Sequence, residues 1–382
     1  MPVIYLDYAA ATPIDKRVMK AMTPYFSDKF YNPSAAYMAA RGVRADVENA
    51  RHDIAKIIGA RPAEIIFTAG ATESINLAMT VVGGGVVLTD NAEHASVLNA
   101  AKSYRHEIIS VDSEGRINLD DLRAKVQSDA VRLISLGYVN SETGVVQDVK
   151  AVADIVCDER AERQMPLYLH IDASQASGLY DLNVGRLGVD MMTLNAGKCY
   201  GPKQVGLLYA RAGIQLKPVV LGGGQEMGLR SGTENVPGII GFARALQIAD
   251  DTRKSEYKRL EELKNQLKKT LANGLPDIIF NENPHATSPA ILNFSVPNVD
   301  GERVVFALDE KGVMVATGSA CAANKGQRSH VLTAMDLTDN IADGSIRVSL
   351  GRFMTEEDIA EAGRLIVETI NEQRKFGRLE VA

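Results

Sequence analysis

A lysine that follows a short apolar run and precedes a Gly-Pro turn is a candidate amine nucleophile. Lys198 has that setting in the stretch Asp190-Met-Met-Thr-Leu-Asn-Ala-Gly-Lys-Cys-Tyr-Gly-Pro-Lys203. Where a strand gives way to a loop an ammonium can be partly desolvated, and a lowered pKa makes the amine reactive. The chemistry that most often uses such a lysine is a Schiff base with pyridoxal phosphate. An ordinary solvated lysine beside a turn fits the same window, so the rest of the chain has to decide.

Four other apolar runs of strand length end in polar groups. Glu64–Thr68 runs into Ala69-Gly-Ala-Thr-Glu-Ser74 and then a helical pattern, a strand–turn–helix geometry that aims amides and a positive dipole end at a phosphate. Ala71 and Thr72 sit at that turn; a plain turn with a threonine cap fits equally. Val86–Thr89 leads to Glu93-His94, Val131–Val139 to Asn140-Ser141, and Leu167–Ile171 to Asp172-Ala-Ser-Gln175. If these strands share one sheet, its edge gathers Thr72, His94, Asn140, Asp172 and Lys198, where open α/β sheets bind ligands. Gly83-Gly84-Gly85 precedes its strand and lacks the dinucleotide spacing. Arg230–Asn235 is a polar loop suited to a second grip on phosphate or to solvent. Arg347, inside a short strand, wants an anion, and a substrate carboxylate is one candidate. Cys321 stands among small and polar residues, which predicts an exposed, mobile thiol. Cys199 and Cys157 are expected to be packing residues, the latter at helical spacing with Val152 and Ile155.

The elements that position these groups alternate strand and helix, as in a mostly parallel sheet covered on both faces. Helices are expected over Asp15–Phe26, from a Ser34 cap through Ile58 to Gly59, over Lys150–Arg163, and from Val236 to about Ala272. The last turns strongly charged after Asp250 and reads as a bridge to a smaller domain. The remainder predicts an α+β tail, with strands at 278–281, 290–296 and 344–350 and helices at 301–311 and 355–374.

At 382 residues the chain can bury a sizeable core, and 46% apolar with 24% charged residues describes a globular protein. A net charge of −6 argues against general nucleic-acid or membrane-surface binding. The three cysteines show no CxxC spacing or disulfide framework, so a reducing, cytoplasmic setting is expected. No signal-peptide pattern or membrane-length apolar run is evident.

Taken together, Ala69–Ser74, Glu93-His94, Asp172–Gln175, Gly197–Lys203, Arg230–Asn235 and Thr317-Gly-Ser-Ala-Cys321 resemble the NifS/IscS-like cysteine desulfurases, in the class V aminotransferase group of fold-type I pyridoxal-phosphate enzymes. The resemblance runs from Leu6-Asp7-Tyr8 to Ser349–Arg352 and rests on six motifs in register. It implies an α/β protein with a seven-stranded-type, mostly parallel sheet in a large domain (15–255). A smaller α+β domain (1–14 plus 256–382) would carry the catalytic cysteine loop.

The resemblance also implies roles. Lys198 is the Schiff-base lysine and proton shuttle; Asp172 pairs with the pyridinium nitrogen; His94 stacks on the ring; Gln175 bonds the ring hydroxyl. Ala71 and Thr72 hold the phosphate, joined by Thr233 from a neighbouring subunit, so a homodimer with shared sites is expected. Arg347 and Asn32 orient the carboxylate of free L-cysteine. Cys321 takes the sulfur as a persulfide, releasing L-alanine, and passes it to an iron–sulfur scaffold protein or another acceptor. No resident metal is implied, although Cys321 could touch a cluster during transfer. Three positions depart from the family pattern: Gly197 replaces a histidine and Asn195 a serine, both at the phosphate, while Ser141 takes the place of an asparagine at the ring hydroxyl, with Asn140 one residue before. These changes bear on cofactor affinity more than on reaction type. A selenocysteine lyase, another class V aminotransferase or a non-catalytic scaffold would share many of the motifs; an aminotransferase would have no use for Thr317–Cys321.

Overall fold

The computed structural model describes residues 3–318 and 328–379 (376–379 as backbone), so Cys321 lies outside the described residues. Seven strands form the central sheet: β2 (Ile65–Thr68), β3 (Val86–Asp90), β4 (Arg105–Ile109), β5 (Val131–Gly137), β6 (Tyr168–Asp172), β7 (Met191–Asn195) and β8 (Gly206–Ala210). Their order is β2-β8-β7-β6-β5-β3-β4. The run from β7 to β4 is parallel, and β8 lies antiparallel to both β7 and β2. The chain is thus α/β, and β2, β3, β5, β6 and β7 end on one rim. Most of these strands are buried throughout because helices cover both faces. One face packs Leu136, Ile171 and Leu207 against Ile54 of helix Met38–Ile58 and Val152 of helix Val149–Glu162. The other packs Ile66, Val87 and Leu133 against Ile75 and Val97, from helices Ala71–Met79 and Ala95–Ala101.

Outside that sheet, β9 (Ile279–Phe280), β10 (Ile291–Ser295) and β12 (Ser345–Ser349) form an antiparallel sheet, and β1 (Ile4–Tyr5) pairs in parallel with β11 (Val313–Met314). Leu6, Leu292, Phe294 and Val348 share a second apolar cluster with Ile366 of helix Glu356–Leu379. The 39-residue helix Val236–Gly274 serves both cores: Phe242 and Leu246 enter the first, Leu263 and Leu267 the second. Its charged middle is the stretch between the two apolar faces.

The helix before Gly59 ends where the sequence predicts, with Gly59 left-handed at φ 69°. Its start differs. Asn32 Oδ1 accepts the Ser34 amide at 2.9 Å, and the helix begins only at Met38, so Ser34 is not its cap. Cys157 is a second correction, because it is exposed: Val152, Ala153, Ile155 and Val156 take the buried face, and the next residue rotates into solvent. Strand β4 and helix Leu119–Val126 escape the sequence reading; β4 is an edge strand exposed along four of its five residues, without a clean apolar period.

Candidate active site

Along the rim, each strand hands over to a turn that fixes one polar group. After β2, Gly70 adopts φ 142°, and a side chain on Gly206 of β8 would stand 2.8 Å from Gly70 backbone. Two glycines therefore let the turn lie flat on the sheet. Among the described residues no side chain caps the helix that follows at Ala71, and Ala71 and Thr72 in its first turn line the cavity. After β3, His94 precedes helix Ala95–Ala101; its Nδ1 accepts the Ser96 amide at 3.1 Å and lies 2.7 Å from Ser96 Oγ. Burial pushes the imidazole below its usual range, opposed by the charge of Asp172 and reinforced by Lys198. His94 is therefore neutral near physiological pH.

After β5, the Asn140 side chain accepts from the Glu142 and Thr143 amides, each at 2.9 Å, and donates to Ala92 O at 2.9 Å. It is consumed in holding the turn, leaving Ser141 beside it. After β6, Asp172 Oδ1 accepts the Ser174 amide at 3.0 Å, and Gln175 Nε2 donates to Ala9 O at 2.9 Å. After β7, Asn195 Oδ1 accepts the Gly197 amide at 3.1 Å, and Lys198 Nζ donates to Ala9 O at 2.6 Å and Ala10 O at 2.8 Å.

These ends enclose a cavity of about 240 Å³ whose wall includes Ala71, Thr72, His94, Asn140, Ser141, Asp172, Gln175, Asn195, Lys198 and Arg347. A more open groove of about 620 Å³ adjoins it along Gly70–Glu73, Gly197 and Lys203. Arg347 is 2% exposed; it donates to Asp7 Oδ1 at 2.6 Å and to Ser141 O at 3.1 Å, while its Nε has no partner among the described residues. A buried donor left open in a cavity wall is suited to an anion. Asn32 and Thr233 are exposed and are not among the lining residues; Thr233 sits in the Arg230–Asn235 loop. Cys199 is buried and its thiol is pushed up to about 12 by burial, so it is packing and not a nucleophile.

Four further groups bear on the site. Thr12 Oγ1 donates to Gly197 O at 3.0 Å and accepts the Tyr200 amide at 2.9 Å, clamping the lysine turn from both sides. Tyr200 is held left-handed there, at φ 66°. Asp90 and Glu93 line the cavity, both buried. Glu142, 2% exposed, is raised by burial, with Arg347 opposing. Thr12 acts across about 185 residues, a contact no local pattern announces.

What the wall offers suits a phosphate-bearing aromatic aldehyde: an amine, a carboxylate, a neutral ring and an uncapped helix start around one space. The orphaned Arg347 Nε adds a place for a carboxylate.

Comparison with known proteins agrees with this chemistry. The family model for class-V aminotransferases matches residues 4–361. The chain is 39% identical to the cysteine desulfurase IscS of Dictyoglomus turgidum, over 93% of this chain and 91% of that protein. It is 36% identical to the cysteine desulfurase IscS 1 of Archaeoglobus fulgidus, over 98% and 99%. Among solved structures, a NifS-like protein superposes with a TM-score of 0.89 at 34% identity, covering 97% of this chain and 99% of that one. The protein SspA, solved in complex with cysteine, superposes with a TM-score of 0.80 at 30% identity, covering 92% and 99%.

Proposed function

Because this chain belongs to the class-V aminotransferase family, we propose that it is a cysteine desulfurase working with pyridoxal phosphate. It takes sulfur from L-cysteine, releases L-alanine and leaves a persulfide on Cys321. The observation that carries the reading is the single cavity in which Lys198, Asp172, His94 and Thr72 meet on the rim of the sheet.

When bound, the cofactor supplies an electron sink for bonds around the substrate's α-carbon. Lys198 would hold the aldehyde through Nζ and would carry the substrate's α-proton on the same atom. The Asp172 carboxylate would hold a proton on the ring nitrogen, and the neutral imidazole of His94 would lie against the ring. Gln175 and Ser141 would bond the ring hydroxyl, since the Asn140 side chain is spent on its own turn. Thr72, with the amides that start helix Ala71–Met79, binds the phosphate. Gly197 and Asn195 contribute less there than the family's usual residues, because Asn195 turns its oxygen to the Gly197 amide. Thr233, exposed on its loop and away from its own cavity, is assigned to the neighbouring site of a homodimer. Arg347 takes the substrate carboxylate at the cavity; Asn32 is assigned the same anion but does not reach the cavity of its own chain.

Cys321, as thiolate, attacks the substrate sulfur: an S–S bond forms, the C–S bond breaks, and its electron pair stays with the carbon, which a proton completes as alanine. Cysteine and a thiol become alanine and a persulfide, with no outside oxidant. An iron–sulfur scaffold protein or another acceptor then takes the sulfur. No helix among the described residues is long and apolar enough to cross a membrane.

The test is incubation with L-cysteine, measuring alanine and protein-bound sulfane sulfur together. The intact protein should form both in equal amounts, and Cys321→Ala should lose the persulfide. Alanine released with no protein-bound sulfur by the intact protein would assign a different reaction to the same fold.

A further inference from the structure

The phosphate end of the site is short of positive charge. It offers Thr72, the amides that open helix Ala71–Met79 and the Asn195 side chain, all neutral groups. A helix start carries only about half an elementary charge, whereas a phosphate monoester carries about −1.5 to −2 near neutral pH. Asn195 Oδ1 is turned to the Gly197 amide at 3.1 Å, and Gly197 brings no side chain of its own. Glu73 also lines the groove there, but its carboxylate is taken. Oε2 accepts the Ala69 amide at 2.9 Å, and Oε1 accepts from Arg230 Nε at 3.0 Å. Among the described residues lining the groove, two carry a positive charge, Lys198 and Lys203. The proposed function commits Lys198 to the aldehyde, which leaves Lys203.

The turn after Lys198 brings Lys203 back to that place. Ala196 O accepts the Cys199 amide at 3.1 Å and the Gly201 amide at 2.9 Å, while the Ala196 amide donates to Val205 O at 3.2 Å. Residues 196–205 are thereby closed into one loop between β7 and β8. Tyr200 and Gln204 are both left-handed in it, at φ 66° and 59°. A residue with a side chain holds that conformation only where its surroundings impose it, so the loop stores strain before and after Lys203. The outcome is that the Lys203 stem lies against Gly197: a Cβ at 197 would meet Lys203 Cγ at 3.8 Å. Lys203 is exposed and makes no hydrogen bond or ion pair among the described residues.

We propose that Lys203 supplies the positive charge of the phosphate cradle, filling from the far end of the turn the place that Gly197 leaves bare. Lys203 has this role only if pyridoxal phosphate occupies the site as proposed above; it then joins Thr72 and the helix amides as a cofactor-binding residue. An ammonium on a flexible exposed stem acts as a point charge, so its pull on the phosphate is screened by salt.

The test uses the full chain stripped of cofactor, in wild type and in the variants K203M and K203R. The probes are pyridoxal phosphate and pyridoxal, and the readout is the absorbance band of the bound aldehyde. K203M should weaken pyridoxal phosphate about tenfold, or about 1.4 kcal/mol, and leave pyridoxal, which has no phosphate, within about twofold of wild type. K203R keeps the charge and should hold both probes within about threefold of wild type. Raising sodium chloride from about 0.05 M to about 0.5 M should shrink the wild-type preference for pyridoxal phosphate over pyridoxal, and shrink that of K203M less. Lys203 is not in the cradle if K203M binds pyridoxal phosphate as tightly as wild type, if both probes weaken together, or if K203R is as impaired as K203M. A wild type that binds neither probe would remove the cofactor reading itself, an outcome distinct from a wild type that binds both and a K203M that matches it.

Discussion

The middle of the central sheet and its carboxyl rim are built from the same strands but treat polar groups in opposite ways. In the middle, His170 is fully buried between Ser135 Oγ and Thr193 Oγ, each 2.9 Å from a ring nitrogen, so three strands are tied by a closed triad. At the rim a few residues further along β6 and β7, Asp172 and Lys198 face a cavity. A closed triad contributes to stability and offers nothing to a ligand. An open rim holds groups the fold does not need, which is where a protein can spend polar atoms on chemistry.

Lys198→Ala should have the largest effect at the rim. Turnover of L-cysteine should fall by at least about 10⁴-fold, and borohydride should fix no vitamin B6 derivative at that position. The melting temperature of the cofactor-free protein should stay level or rise, because rim groups cost stability instead of supplying it. A large drop in melting temperature with turnover retained would mean that Lys198 is structural.

The counterpart is His170→Gln, which keeps donor and acceptor but removes titration. Burial lowers His170 from 6.5 to about 3. With the folded pKa depressed, the unfolded chain binds the extra proton first, so wild-type stability is lost as pH falls from about 6.5 towards 3. The loss is on the order of 4 kcal/mol. Denaturant titrations across that range should show a steep slope in wild type that flattens in the variant, with cysteine turnover at neutral pH little changed. Equal slopes would remove the triad from the account of acid stability.

Asp90 lies on the border of the two regions and gives the smallest effect. Burial raises it from 3.8 to about 6, offset in part by the Ala92 amide and Glu93. Its contribution is most favourable below 3.8 and is lost as pH rises through about 6. Asp90→Asn should therefore gain on wild type between pH 4 and 7 and stay level above, by up to roughly 3 kcal/mol before lost hydrogen bonds are counted. Denaturant midpoints for both proteins at pH 4, 6 and 8 read it directly, and a pH-independent difference would put the Asp90 pKa back in the ordinary range.

The sequence announces groups that sit at strand ends, because a buried strand followed by small residues and a helix start can be read locally. Thr72, His94, Asp172 and Lys198 all come from such punctuation, and all four line one cavity. What the sequence hides are partners that meet only across the fold. Thr12 reaching Gly197, or Glu93 settling on β5 because residue 137 has no side chain, depend on which strands become neighbours. Arg347 shows both limits: an arginine in a strand predicts an anion, yet its partner Asp7 lies 340 residues earlier. Cys157 shows how narrow the helical signal is, since one residue past the last apolar position is enough to reach solvent.

Strand β1 has a consequence for what holds the reactive amine. Ile4 and Tyr5 pair with Val313 and Met314, Asp7 bridges to Ser349, and the carbonyls of Ala9 and Ala10 hold the ammonium of Lys198. Ile4, Tyr5 and Asp7 find these partners more than 300 positions further along the chain. The two carbonyls that hold the Lys198 ammonium are therefore fixed in place by residues around 313 and 349, and the amine at the rim depends on the second core as much as on the sheet.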